Sequence, residues 1–193
     1  RALCAAHDLW RPQAHFEGIS INGPTAVGGT LEGPTLEPLI RTQLAALGQV
    51  PTQPALAAVA GGIGEAWDMF QRSFKVPGLP WYPSFAAFPG PMAPPTPNVP
   101  TPLVACTHDA GRVSAPTLKD AMGRRLHTTD ADATHFFDAV ATGFSMAVTQ
   151  WLPAQPVTNV LGKGPVPTFA PPYVPVGPVV MGDNIATPGH LMS

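Results

Sequence analysis

Apolar residues recur every three or four positions along two long stretches of this chain. Leu56, Val59, Ile63, Trp67 (or Ala66), Phe70 and Phe74 trace one stripe. Phe136 or Phe137, Val140, Phe144, Ala147 (or Val148) and Trp151 trace the other. That spacing puts large side chains on one face of an α-helix. It predicts helices over 54–74 and 131–152, the second ended by Pro153 and capped by Asp130 or Asp132. A shorter stripe, Leu39, Ile40, Leu44 and Leu47, predicts a helix that begins at Thr35 and stops near Gly48. Thr35 is its expected cap, and Glu37 sits near the positive end of the helix dipole. The segment 118–126 is the matching short helix further on.

These elements come in two sets. Pro34-Thr35-Leu36 reappears as Pro116-Thr117-Leu118. Ala58, Val59, Ala60, Gly62 and Ala66 reappear as Ala139, Val140, Ala141, Gly143 and Ala147. Val76, Gly78, Pro83, Phe85 and Ala86 reappear as Val160, Gly162, Pro167, Phe169 and Ala170. Three blocks in the same order mark a tandem duplication, and two copies are too few for a solenoid. The chain therefore divides into a lead-in at 1–33, copy one at 34–108 and copy two at 109–193. In the lead-in, 18–22 is expected to be a short strand and the glycine-rich run 23–33 a set of turns. Gly61, Gly62 and Gly64 each cost the 54–74 helix up to about 1 kcal/mol relative to alanine. Their smallness predicts the close approach of another helix, and we expect the two long helices to pack on each other through such residues.

A proline-dense arm follows each helix pair. Residues 76–104 carry ten prolines, and 76–108 hold no Asp, Glu, Lys or Arg. Residues 164–180 repeat the theme with six prolines. Proline fixes φ and removes a donor, which excludes helices and central strands and leaves polyproline-like extension with isolated edge pairing. The expected fold is mainly α with extended proline-rich arms and little regular sheet. The arms are too apolar for solvated linkers. Leu79, Trp81, Tyr82, Phe85, Phe88, Met92, Phe169 and Tyr173 are expected to contact partner proteins.

Composition narrows the function. Charged residues make up 11% of the chain, against an average near 25%. With a net charge of −2 there is no electrostatic case for nucleic acid, and no unbroken apolar run is long enough to span a membrane. A 45% hydrophobic chain with so little charge is expected to be covered by other subunits.

The sequence carries no recognisable catalytic or cofactor signature. His127 and His135 lie near Asp130, Asp132 and Asp138, but the spacing matches no zinc pattern, so no metal or cofactor is expected. Cys106 near His108 lacks a third group to orient the pair, and no Gly-x-Ser-x-Gly elbow is present. Cys4 and Cys106 are compatible with one bridge or with two idle thiols. Gly162-Lys163-Gly164 completes no phosphate signature.

The resulting expectation is a non-enzymatic structural subunit of a large assembly, such as a phage tail or contractile injection particle. Its partners would be other protein subunits, copies of itself among them, inside a particle assembled in the cytoplasm or released. The alternative is a proline-rich module read by aromatic grooves. Pro80-x-x-Pro83, Pro91-x-x-Pro94, Pro94-x-x-Pro97 and Pro97-x-x-Pro100 fit that mode, although no basic residue flanks them.

Overall fold

The computed structural model describes residues 1–127, 130–170 and 174–192. Its five α-helices are α1 (Ala2–Trp10), α2 (Leu36–Ala46), α3 (Pro54–Gln71), α4 (Ala115–Leu126) and α5 (Ala131–Ala154). The strands are β1 (His15–Asn22), β2 (Thr25–Glu32), β3 (Val76–Leu79), β4 (Phe88–Pro89), β5 (Met92–Pro97) and β6 (Thr101–Pro102). After α5 come β7 (Pro156–Val157), β8 (Leu161–Pro165), β9 (Phe169–Ala170), β10 (Val174–Gly177) and β11 (Gly182–Asn184).

The helices follow the periodicity closely. Asp130 caps α5 by accepting from Ala133 N at 3.0 Å. Thr35 holds the cap position of α2 without a side-chain bond, while Glu37 in the first turn pairs with Arg41 at 2.8 Å. Helix α3 is the centre of the helical layer, with every residue from Ala58 to Gly64 buried. A helix apolar all round belongs inside. Its glycines explain how. A methyl group on Gly62 would lie 2.9 Å from the backbone N of Met122 in α4, and one on Gly64 would lie 2.9 Å from the backbone N of Glu37 in α2. The expected close approach is therefore real, but the helices that come close are the short ones flanking α3. Among the described residues outside its own helix backbone, nothing lies within 4 Å of a methyl group built on the matching Gly143 of α5.

The sheet overturns the expected fold class. Among the described residues the chain is 48% helical and 24% strand, a mixed α/β fold with a six-stranded antiparallel sheet rather than a mainly α chain with little sheet. The strand order is β3-β2-β1-β11-β8-β5. The lead-in supplies two of its interior strands, so the glycine-rich run is a strand rather than turns. Asn22 faces Thr25 across the two-residue turn Gly23-Pro24. Gly23 at φ +57 suits a type II′ hairpin, since proline excludes the type I′ alternative. Segments far apart in sequence then complete the sheet, β11 pairing β1 through Ser20 and Asp183.

The prolines find a physical role at its borders. Edge strand β3 carries Pro77, and edge strand β5 carries Pro94, Pro95 and Pro97, with a register shift between Ala93 and Thr96. Proline on an edge withholds the donor that another strand would use, and a bulge bends the edge away. The first arm also pairs with the segment from β7 through the second arm, β5 with β8, β4 with β10 and β6 with β7. Helices and sheet share one continuous core that includes Trp10, Phe16, Trp67, Phe70, Trp81 and Phe85.

Candidate functional site

The aromatic residues expected to anchor partners divide into two groups. Trp81, Tyr82 and Phe85 are fully buried in the chain's own core. Trp81 meets Phe16 edge-on at 6.1 Å, and Tyr82 stacks on Phe85 at 5.2 Å. The Tyr82 hydroxyl donates to Val160 O at 2.8 Å, and burial holds it protonated, its pKa well above the usual phenol value. The 3-10 turn at Pro83–Ala87 follows Tyr82, which lies against Val160 and Gly162, and Phe85 O accepts from Val179 N at 3.0 Å.

Leu79 and Phe88 are half-buried against the same core, and Met92 is exposed. The backbone of Phe169 pairs with β10, and Tyr173 lies outside the described residues. Buried Asn98 ties the arms together and was not singled out by the sequence. Its amide donates to Val157 O at 3.0 Å and Val99 O at 2.8 Å, and its carbonyl accepts from Val160 N at 3.0 Å. A lone asparagine between prolines (Pro97-Asn98-Val99-Pro100) is the signal that was there to read.

What the arms leave outside is apolar. Met92 is 57% exposed and Met181 80%, with Val99, Val104 and Val176 also exposed. Met92 pairs with Pro165, whose carbonyl accepts from Val180 N at 3.1 Å, so Met92 and Met181 flank one stretch of ladder. No Asp, Glu, Lys or Arg occurs in 76–108 or 164–182. These two segments carry no charge of their own, and the exposed Lys163–Asp183 pair of β8 and β11, at 2.7 Å, borders Met92 on the same face.

Metal-binding chemistry does not gather. Among the described residues no three His, Cys, Asp or Glu side chains are placed to hold an ion. Asp138 instead pairs with Lys119 at 3.1 Å. Cys4 and Cys106 are both free, so the bridge is not formed. Cys106 is buried, and burial pushes its thiol up to about 12, the reverse of what a nucleophile needs. His108 beside it stacks on Phe74 at 5.0 Å, with its Nδ1 2.9 Å from Cys106 O.

Two histidines the sequence did not single out for a role are held neutral. His7 on α1 sits among Trp10, Trp67 and Trp151 at 5.6, 5.4 and 4.7 Å. Burial lowers its pKa to about 4. His190 is fully buried and accepts from Phe16 N through Nδ1 at 2.8 Å. Burial and then His15 bring it to about 4 as well.

His7 also borders a cavity of about 340 Å³ between α1 and α5, walled by Leu3, Val140, Phe144 and Trp151, with Cys4 and Asp8 at its side. A second, more polar cleft of about 590 Å³ is lined by Arg41, Glu65, Arg124, Arg125 and His127. Arg125 there is paired with Glu65 and Arg41 with Glu37. No described helix is long and apolar enough to cross a membrane. Comparison with protein-family models, with curated proteins and with solved structures returned no match.

Proposed function

We propose that this protein is a non-enzymatic structural subunit of a large multi-subunit assembly, a phage tail, contractile injection particle or similar object. The contact surface is the outer side of the paired arms. One observation carries the reading: Met92, Val99, Val104, Val176 and Met181 are exposed on the segments 76–108 and 164–182, which contain no charged side chain and are bordered by the exposed Lys163–Asp183 pair. Large apolar patches rimmed by polar surface mark interaction sites. Trp81, Tyr82 and Phe85 contribute indirectly, as the internal framework that holds this surface in shape. Ladder pairing and proline fix the arms before contact, which reduces the ordering cost of association. The prolines at both sheet edges disfavour growth by strand addition, so the contact is made by side chains.

The test is the double variant Met92→Glu, Met181→Glu. Its folding stability should stay within about 0.5 kcal/mol of the parent, as for most surface changes, while its incorporation into the native particle is lost. Normal incorporation would remove the basis of the proposal.

The exposure of Pro94 and Pro97 on β5 favours a second reading, a proline-rich ligand for an aromatic groove. Replacing Pro94 and Pro97 by alanine separates the two. It should abolish binding to such a groove and leave assembly through the methionines intact.

A further inference from the structure

Arginine gathers at one place on this charge-poor chain. Three of its ten Lys and Arg side chains line the same cleft of about 590 Å³, Arg41 from α2 and Arg124 and Arg125 from the last turn of α4. Among the described residues Glu65 is the one carboxylate in that lining, and His127 stands beside the arginines. Glu37 reaches Arg41 from an adjoining cleft that also holds Asp68 and Arg72. Basic residues at the end of α4 suit its helix dipole. Arg41 belongs to another helix, and the dipole gives it no reason to share their cleft.

The existing partners leave most of the donors unused. A guanidinium carries five N–H groups. Glu37 and Pro51 take three from Arg41, and Glu65 takes one from Arg125. Arg124 makes no ion pair among the described residues, with Asp120 one turn before it included. With Glu37 and Glu65 both counted, one positive charge is left over on Arg124. Both existing pairs are partly exposed, and such pairs contribute little, so an incoming anion competes with them on easy terms.

Arg125 is seated rather than loose. Its guanidinium lies against the α3 backbone at Gly61, where a methyl group would come 2.5 Å from Nη1 and 2.8 Å from Cζ. Glycine inside a helix is costly, and here the missing side chain makes room for the charge. The first turn of α3 adds to the positive field, with Pro54 and Ala57 on the cleft wall. Its Ala55 and Leu56 N–H groups lack intrahelical acceptors, and Gln53 makes no side-chain cap.

Donor geometry selects among anions. A carboxylate has two oxygens in one plane and suits a single guanidinium fork. A phosphate-type ion spreads its oxygens around a centre and engages forks from several directions. We propose that the cleft between α2, the start of α3 and the end of α4 binds a compact phosphate-type oxyanion through Arg41, Arg124 and Arg125, in competition with Glu65. This site is separate from the arm surface, and either can fail without the other.

Isothermal titration calorimetry of the folded chain with inorganic pyrophosphate at low salt tests it. Saturable binding is expected. Arg124→Gln breaks no ion pair and should weaken binding about tenfold, the worth of one charge-assisted hydrogen bond. Gly61→Ala should weaken it too, by moving the Arg125 guanidinium while α3 keeps its circular dichroism. Glu65→Gln removes the competing carboxylate and should tighten binding about threefold, the worth of an exposed ion pair. Lys75→Gln removes an exposed cation outside the cleft and should leave the affinity unchanged. A competing titration with inorganic phosphate identifies the ligand. Displacement of pyrophosphate supports a site for a single phosphate group, and no displacement supports one for a diphosphate. No saturable pyrophosphate binding, equal weakening in Lys75→Gln and Arg124→Gln, or weaker binding in Glu65→Gln overturns the proposal.

Discussion

Helices α3 and α5 share one residue pattern and meet opposite surroundings. Ala58, Val59, Gly62, Ile63, Ala66 and Phe70 of one align with Ala139, Val140, Gly143, Phe144, Ala147 and Trp151 of the other. In α3 that stripe is sealed by α4, which passes so close that Gly62 has no room for a methyl group. In α5 Ala139, Gly143 and Ala147 are exposed and border an open trough. The same residue pattern is therefore buried in one helix and open in the other. Burial depends on which neighbours the fold brings up: α4 covers the α3 stripe, and among the described residues nothing covers the Ala139–Gly143–Ala147 edge of α5.

The largest effect that distinguishes the two copies is expected at Gly62. Gly62→Leu must push α4 away from α3, since even its first carbon would meet backbone. The loss should be about 3 kcal/mol or more in urea unfolding, at the upper end of overpacking costs. A loss below about 1 kcal/mol would mean that α3 and α4 are not in this contact.

Acid comes next, through histidines at the seams. His7 joins α1 to the α3 and α5 tryptophans, and His190 holds β1. Each has a folded pKa of about 4 against an ordinary value of 6.5. The unfolded chain binds more protons between these values. Stability contributed by each neutral imidazole is thus full above pH 6.5 and is lost as pH falls through 4. The amount is on the order of 2–3 kcal/mol apiece. Stability measured from pH 7.5 to 4 should fall less steeply in His190→Asn than in the parent. An identical slope would contradict the buried, neutral state.

Asn98→Ala removes the latch between the arms and strands the N–H of Val160 and the carbonyl of Val157. A loss of about 2 kcal/mol is expected, with faster amide exchange at Val160. The smallest effect has the opposite sign. Gly143→Ala should stabilise the chain by about 1 kcal/mol, because the helix gains propensity and the methyl meets open space. Destabilisation by Gly143→Ala would erase the contrast with Gly62.

How much of this was legible from the residues follows the same division between local and distant causes. The stripes of α3 and α5 and the smallness at Gly62 are local, and they were readable with ends off by a few residues. The partner of Gly62 was not, because α4 is a short, polar helix whose packing depends on the whole layer. The sheet was hidden for two reasons. Strands such as Leu-Gly-Lys-Gly-Pro in β8 and Gly-Asp-Asn in β11 have no apolar alternation and few branched residues. Their partners also lie far away in sequence, as Ser20 and Asp183 show. Prolines that excluded central strands were consistent with edge strands, and four of them, Pro77, Pro94, Pro95 and Pro97, stand there. Trp81 and Tyr82 are buried by the chain itself, Trp81 against Phe16 of β1 and Tyr82 against Val160 and Gly162. The α1–α5 trough had no sequence signature, since Cys4 and Gly143 are neighbours only after folding.

Methionine oxidation footprinting tests the arm surface as a docking face most directly. Met92, Met181 and Met146 are all exposed in the single chain, so all three should oxidise readily in isolation. In the intact native assembly, Met92 and Met181 should become protected while Met146 on α5 keeps its rate. Equal oxidation of Met92 and Met181 in both states would contradict the account.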